Sequence, residues 1–351
     1  MPALIIGPGK TGRANIAAGL RIKTERPLFV VCSDDTAVEN FRRDLELFLE
    51  EPCETLISRD LNFYGAEGVS HENEQKRIKT LYHMAKGMAP VVICTVTGLL
   101  QRTLPPQTLL DAAFTIEDGK ACPPEAAERA LVLCGYNRAF QVEGAGQFSR
   151  RGGILDFFSP AYESPVRCEF WGDDVDSMGF FDTDSQRRTE SLSKCEILPS
   201  REIIPALGDG EHLSENLAEL IKLAHRHGNE KLSETLREDA EKLKETGSIA
   251  AADRYASLIY PKFITAIDYI PPDALVFFDK PGRLTENAGA FFKQHAEDLN
   301  ILLESGLLSG RAAQFYLPWE VACERLREFA IVMADTFTAG RYPIEPRSIL
   351  S

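Results

Sequence analysis

The 351-residue sequence has little that would tie it to a membrane, to an oxidising compartment or, unaided, to DNA. No apolar run approaches the roughly 20 residues that span a bilayer. The N-terminus lacks the charged-then-apolar layout of a signal peptide, so a cytoplasmic protein is expected. The eight cysteines (Cys32, Cys53, Cys94, Cys122, Cys134, Cys168, Cys195, Cys323) include no CxxC pair. That scatter fits reduced thiols and argues against a disulfide framework or a zinc site, which needs paired ligands. Basic charge is also short: 39 Lys and Arg against 53 Asp and Glu give a formal net charge of −14. DNA binding by an isolated chain draws its affinity from Lys and Arg on phosphates, so protein partners are the better expectation.

What is present is a chain long enough for two or three domains. The first third alternates short β-branched apolar runs (residues 3–7, 27–33 and 91–98) with amphipathic helical patterns, the rhythm of a parallel sheet. Asp34 and Asp35 stand where a helix N-cap is wanted, ahead of the stripe Val38, Phe41, Leu45 and Phe48. From 139 to 203 the pattern changes to alternation and Gly/Asp turns, which reads as an inserted, mostly β domain. Charged amphipathic helices follow from 211, then a buried strand within 273–281 and further helices to about 330. The expected divisions are 1–121, 122–205 and 206–351. The last residues, 338–351, do not read as the finish of a domain, so a longer parent is expected.

Two stretches look like nucleotide-binding elements with parts missing. Residues 4–15, LIIGPGKTGRAN, set an apolar run before a glycine turn and a helix. A phosphate loop of the type G-x-x-x-x-G-K-S/T cradles phosphates on backbone amides, with the lysine on the β/γ oxygens and the hydroxyl on magnesium. Here Gly7 and Gly12 keep the glycines, but Arg13 and Ala14 stand where the lysine and the hydroxyl belong. Lys10 and Thr11 lie inside the loop instead. The second stretch, LVFFDK (275–280), resembles a strand ending at a magnesium-holding carboxylate, with Asp279 followed by Lys280 where helicase-type enzymes place a glutamate. Alone, Asp279 is a strand-end residue; in order after the first stretch, it suggests a decayed ATPase core. His225 and His227 are two apart on a helix and point to different faces, which suits solvated side chains and not a metal pair. No nucleophile with a base and an orienting group emerges, and no catalytic or metal site is expected.

The middle segment then becomes recognisable. GQFSRRGGILDFFSP, PVRCEFWGDDVDSMGFFDTDSQR and EILPSRE resemble the inserted domain shared by the excision-repair helicase UvrB and the transcription-repair coupling factors. The flanks LNFYGAEGVSHENEQKRIKTLY, VVICTVTGLLQRTLPP and DYIPPDALVFFDKP resemble the N-terminal part of the latter family, so the likeness covers nearly the whole chain. A working UvrB would carry an intact phosphate loop, a D-E-S-H box and a long aromatic hairpin. This chain has Asp279-Lys280-Pro281-Gly282 and only the short ISRDLNFYGAEG (57–68).

The resemblance implies an α/β fold: a degenerate P-loop, helicase-like, UvrB-like parallel sheet core with an inserted β-rich α+β domain. It implies a module that recruits the damage sensor UvrA and has no ATPase activity; a divergent UvrB-type ATPase is the competing reading. ATP and magnesium, and contacts with RNA polymerase and DNA, would belong to segments beyond this chain. A C-terminal domain of the parent would mask the UvrA surface at rest. By the same likeness, Arg167 would pair bidentately with UvrA carboxylates and Phe181 would be the apolar anchor, with Phe180 turned into the core. Arg151 in the SRRGG turn (149–153) belongs to the same expected surface. Gly179 departs from the family, which often has arginine there, and Arg187 or Arg188 would compensate.

Overall fold

The protein was analysed as a computed structural model, which describes residues 2–65, 71–208, 210–338 and 342–350. Fifteen strands are present among them: β1 (Ala3–Ile6), β2 (Leu28–Cys32), β3 (Glu54–Leu56), β4 (Val91–Thr95), β5 (Phe114–Glu117), β6 (Asn137–Arg138), β7 (Gln147–Arg151) and β8 (Ile154–Phe157). They continue with β9 (Val166–Trp171), β10 (Asp174–Phe181), β11 (Arg188–Leu192), β12 (Lys194–Ile197), β13 (Leu275–Asp279), β14 (Ala330–Asp335) and β15 (Ser348–Leu350).

Seven of them form one sheet in the order β15-β1-β14-β13-β2-β4-β3, and every neighbouring pair runs parallel. β2, β4 and β13 are buried along their whole length, as parallel strands covered on both faces must be. Alternate residues serve opposite cores. Leu28, Val30, Cys32, Leu275 and Phe277 pack with the helices Lys10–Thr24 and Asp35–Leu49, through residues such as Ala14, Ala17, Phe41 and Leu45. Phe29, Val31, Val276 and Phe278 face the other way, into a larger core shared with the helix Glu72–Ala85 and the helices after residue 210. The expected cap at Asp34 is present, its carboxylate accepting from the Ala37 N–H at 2.9 Å.

Two elements differ from the sequence expectation. The third apolar run stops being a strand at Thr95, whose side chain accepts from the Gly98 N–H at 2.9 Å and starts a short helix, Val96–Leu100. After residue 326 the chain does not remain helical but forms β14, a central strand between β1 and β13.

The second sheet has six strands, β11-β10-β9-β8-β7-β6, antiparallel except for the short β6–β7 pairing. One of its faces packs a core of Phe148, Leu155, Phe157, Val166, Cys168 and Met178. A ribbon of β5 with β12 closes that core, so Ile116, before the 121/122 division read from the sequence, packs inside the second sheet's core. No helix among the described residues is long and apolar enough to cross a membrane.

Candidate functional site

The carboxyl ends of β1, β13 and β14 lie side by side, the edge at which α/β proteins of this type hold ligands. Gly7 follows β1 with φ of +107°, a backbone conformation that only glycine adopts freely, and its N–H donates to the Asp335 carbonyl at 3.0 Å. The turn ends sooner than the sequence suggested, because the helix begins at Lys10 with Gly9 as its cap. Gly12 therefore sits in the first helical turn, not in the loop, and the loop proper is Gly7-Pro8-Gly9. The Lys10 ammonium donates to Asn40 at 2.8 Å and the Thr11 hydroxyl to Asp44 at 3.3 Å. Both loop side chains are thus turned toward the neighbouring helix.

Arg13 enters the space that this leaves. Its side chain is 2 % exposed, and Nε lies 2.5 Å from Asp279, whose side chain is 8 % exposed. Its Nη1 donates to the Pro8 carbonyl at 3.2 Å and to the Thr336 hydroxyl at 3.0 Å, and that hydroxyl donates in turn to Pro8 at 3.2 Å. Burial pushes the Asp279 carboxyl above its ordinary range, against the pull of Arg13 and then of Lys280. Ala14 is wholly buried in the helix–sheet core. Lys280 caps the next helix with φ of +53°, its N–H bonded to Ala334. The two sequence elements thus meet, the Arg13 guanidinium paired with the Asp279 carboxylate. Lys10 and Thr11 are thus turned away from the loop, the Thr336 hydroxyl that reaches it is bonded to Pro8, and the Asp279 carboxylate is paired with Arg13. Thr336 was missed because β14 was missed; the run FAIVMAD (329–335) before it carried the signal.

The second site is the face of the six-stranded sheet opposite its core. Register places Ser149, Asp156, Arg167 and Gly179 in one row across four strands, with Arg151, Ile154, Glu169 and Ser177 in the next. The structure therefore brings Arg151, Arg167, Gly179 and Phe181 to one face, but two expected roles change. Phe181 is 1 % exposed and is roofed by the Arg167 guanidinium 4.6 Å from its ring, so it offers no anchor to solvent. Phe180 is half-buried against the sheet core and meets Tyr162 edge-on at 5.2 Å. The Arg167 fork is already engaged: Nε and Nη2 donate to the two Asp156 oxygens at 2.7 and 2.8 Å, and Nη1 donates to the Gln186 carbonyl at 3.1 Å. That bidentate pair is internal, and it holds Arg167 down onto Phe181. Asp156, fully buried, also accepts from Arg151 at 2.9 Å.

A Cβ on Gly179 would lie 2.4 Å from the Glu190 carbonyl and 3.1–3.2 Å from Cδ and Cγ of Arg188. Arg188 thus lies over the place that a side chain at 179 would take, and reaches Ser177 at 3.1 Å and Glu169 at 3.3 Å. Arg187 is exposed in the preceding turn, its carbonyl accepting from Asp182. His225 and His227 are both exposed at a helix end. Of the segment 57–68, residues 66–68 lie outside the described residues. A cleft of about 1160 Å³ opens between the two sheets' domains beside Glu74, Gln75, Gly146 and Arg201. The charges around it are paired among themselves, Lys76 with Glu72, Lys79 with Glu163 and Arg201 with Glu74, so it has no dominant sign.

The comparisons with known proteins fit this layout. The UvrB interaction domain family matches residues 114–203, the β5–β12 ribbon with the six-stranded sheet between its strands. The chain is 29% identical to the transcription-repair-coupling factor of Bacillus subtilis over 315 residues, 86% of this chain and 26% of that protein. It is 31% identical to that of Myxococcus xanthus over 200 residues, 55% of this chain and 17% of the relative. With that of Staphylococcus epidermidis it shares 23% over 351 residues, 96% of this chain and 29% of the relative. The chain is a UvrB-like module, a UvrB interaction domain joined to a parallel α/β core. Over most of its length it is similar to transcription-repair coupling factors, and it spans under a third of the length of these relatives.

Proposed function

We propose that this chain is a docking module of a transcription-repair coupling factor, which captures UvrA through residues 114–203 and does not itself hydrolyse ATP. RNA-polymerase contact, ATP-driven movement on DNA and masking of the UvrA surface at rest would belong to segments beyond this chain. The observation that carries the reading is the UvrB interaction domain, matched over the whole second sheet. The core is a degenerate version of a P-loop, helicase-like sheet. Its glycine turn survives for the strand-to-helix connection, while Arg13 and Asp279 replace the phosphate and metal contacts with a contact to each other.

The test is twofold. Immobilised chain should retain purified UvrA without nucleotide, and fluorescent ATP with magnesium should show no saturable binding to the chain. Failure to retain UvrA would overturn the docking reading. Micromolar, magnesium-dependent ATP binding or turnover would replace it with a divergent UvrB-type ATPase.

A further inference from the structure

The inserted six-stranded domain and the parallel sheet have separate apolar cores. The chain returns from one to the other through residues 198–203. That segment is bonded to the domain it leaves: the Ser200 N–H donates to the Cys134 carbonyl at 2.9 Å, and the Tyr136 hydroxyl to the Leu198 carbonyl at 2.7 Å. Between Cys134 and Tyr136, Gly135 has φ of +82°, and a Cβ there would meet Ser200, Arg201 and Ile204 at 3.2 Å. The close approach therefore needs glycine. Leu198 and Ile203 pack into the larger core of the parallel sheet, and Arg201 and Glu202 enter a charged cluster beside it.

Glu202 is the deepest part of the segment. It is fully buried, and its N–H donates to the Glu74 carboxylate at 2.8 Å. Its own carboxylate lies 2.9 Å from Arg77 Nε and 3.6 Å from Arg59 Nε. Neither oxygen completes a hydrogen bond among the described residues, so the two arginines hold it by charge alone. Each arginine is anchored elsewhere. Arg59 forms a two-pronged pair with Asp253 at 2.6 and 2.9 Å, and Arg77 donates to the carbonyls of Ile57 and Gly98 at 3.0 and 2.8 Å. Glu74 also lies 3.5 Å from Arg201 and 3.7 Å from Arg59, with His71 on its outer oxygen at 2.9 Å.

The cluster thus sets Arg59, Arg77 and Arg201 against Glu74, Glu202 and Asp253. The two that belong to the return segment, Arg201 and Glu202, carry opposite charges. If they leave together, Arg59 and Arg77 remain against Glu74 and Asp253, so neither body is left with an unmatched buried charge, the usual penalty for breaking such a cluster. Glu202 also regains water for two oxygens that lack hydrogen bonds in the closed state. The other contacts between the bodies run along one stripe of the helix Glu72–Ala85 and the residue after it. Gln75 donates to the Ala145 carbonyl at 2.8 Å and Lys79 to Glu163 at 3.1 Å; Tyr82 and Lys86 both donate to Glu196, at 3.0 and 2.7 Å. These bonds are exposed or part-buried, where exchange for water costs little.

We propose that residues 198–203 are a releasable latch. Glu202, seated between Arg59 and Arg77, fixes the inserted domain on the parallel core. The segment withdraws with Arg201 and Glu202 together, and the domain then swings on its two chain connections without either body unfolding. The latch does not depend on which partner the inserted domain captures.

The test is native-state hydrogen exchange, read by mass spectrometry, on the wild-type chain and on Glu202→Gln. In low urea, the wild-type amides of 198–203 should open before the strands of either sheet. Glu202→Gln keeps the shape of the side chain but leaves three arginines against two carboxylates in the closed cluster. Exchange in 198–203 should therefore rise about 10-fold or more, while β2, β13, β8 and β9 keep their protection. Trypsin should also cut the Arg201–Glu202 bond faster in the variant. Opening of the wild-type segment only together with the strands would overturn the proposal, and so would a variant that exchanges faster everywhere alike. Should Glu202→Gln fail to fold, the wild-type order of opening still decides. Arg201→Gln decides with it: this variant removes a partly exposed cation and should speed exchange several-fold in the same segment alone.

Discussion

Arg13–Asp279 at the parallel sheet and Arg167–Asp156 on the six-stranded sheet are both arginine–carboxylate pairs with the carboxylate buried, yet their surroundings differ. Arg13 is as buried as its partner, and it draws the Pro8 carbonyl and the Thr336 hydroxyl into the same knot. The pair closes the strand ends at which a ligand would otherwise enter. Arg167 keeps 16 % of its side chain exposed and lies flat, two-pronged, over the ring of Phe181. Here the pair covers an aromatic ring at the surface of the sheet. The same chemistry thus serves two surroundings, and what differs is whether the arginine lies inside the core or along its skin.

The largest expected effect comes from breaking the closed pair. Arg13→Ala leaves the Asp279 carboxyl buried without its hydrogen-bonded cation, with only the weaker pull of Lys280 on it, and removing one partner of such a pair costs about 3–5 kcal/mol. The double substitution Arg13→Leu with Asp279→Leu should recover most of that loss, because no charge is left to desolvate. Urea unfolding of the three proteins measures both numbers. A loss below about 1 kcal/mol in Arg13→Ala is what an exposed pair would give, and it would remove the contrast drawn above.

The strand–helix rhythm, the cap at Asp34 and the need for glycine at position 7 were all legible in the sequence, because each depends on local backbone chemistry. The start of the first helix was not. GPGKTG is compatible with a helix beginning at either end of the loop, and tertiary contacts of Lys10 and Thr11 with the next helix choose the early start. β14 was lost among helical patterns because a short, mostly apolar run has no period of its own. Phe181 misled for a different reason. Alternation along β10 correctly separates it from Phe180, but only cross-strand register shows that Arg167 lies over it.

A second measurement asks whether the two regions are joined. Glu74, on the helix Glu72–Ala85, accepts from the N–H of Glu202, in the segment that leaves the six-stranded sheet, at 2.8 Å. Arg59 lies 3.7 Å from it and is itself paired with Asp253 at 2.6 Å. Burial pushes the Glu74 carboxyl up, but Arg59, His71, Arg201 and the Glu202 N–H together hold it at about 2. A depressed carboxyl stabilises the fold above its ordinary value of 4.5, and that contribution is lost as pH falls from there toward 2. Melting curves between pH 7 and pH 3 should show a loss of about 2 kcal/mol from this group. Glu74→Gln should flatten that part of the curve. An equally steep acid loss in the variant would mean that other carboxylates carry it.

The smallest effect sharpens the open side of the comparison. Arg167→Ala removes two hydrogen bonds from Asp156 but leaves the one from Arg151 at 2.9 Å, so the carboxylate keeps a cation. The expected cost is about 1–2 kcal/mol, below that of Arg13→Ala, where the other cation, Lys280, acts on Asp279 more weakly than Arg13 does. Arg151→Ala alone should cost less again, since its side chain is half exposed. The double variant strands Asp156, so its loss should exceed the sum of the two by about 1 kcal/mol or more. Urea unfolding of the two single variants and the double variant gives this coupling directly. Simple additivity would show that the two arginines do not share Asp156 in solution. It would also mean that Arg167 is held over Phe181 by something other than this carboxylate.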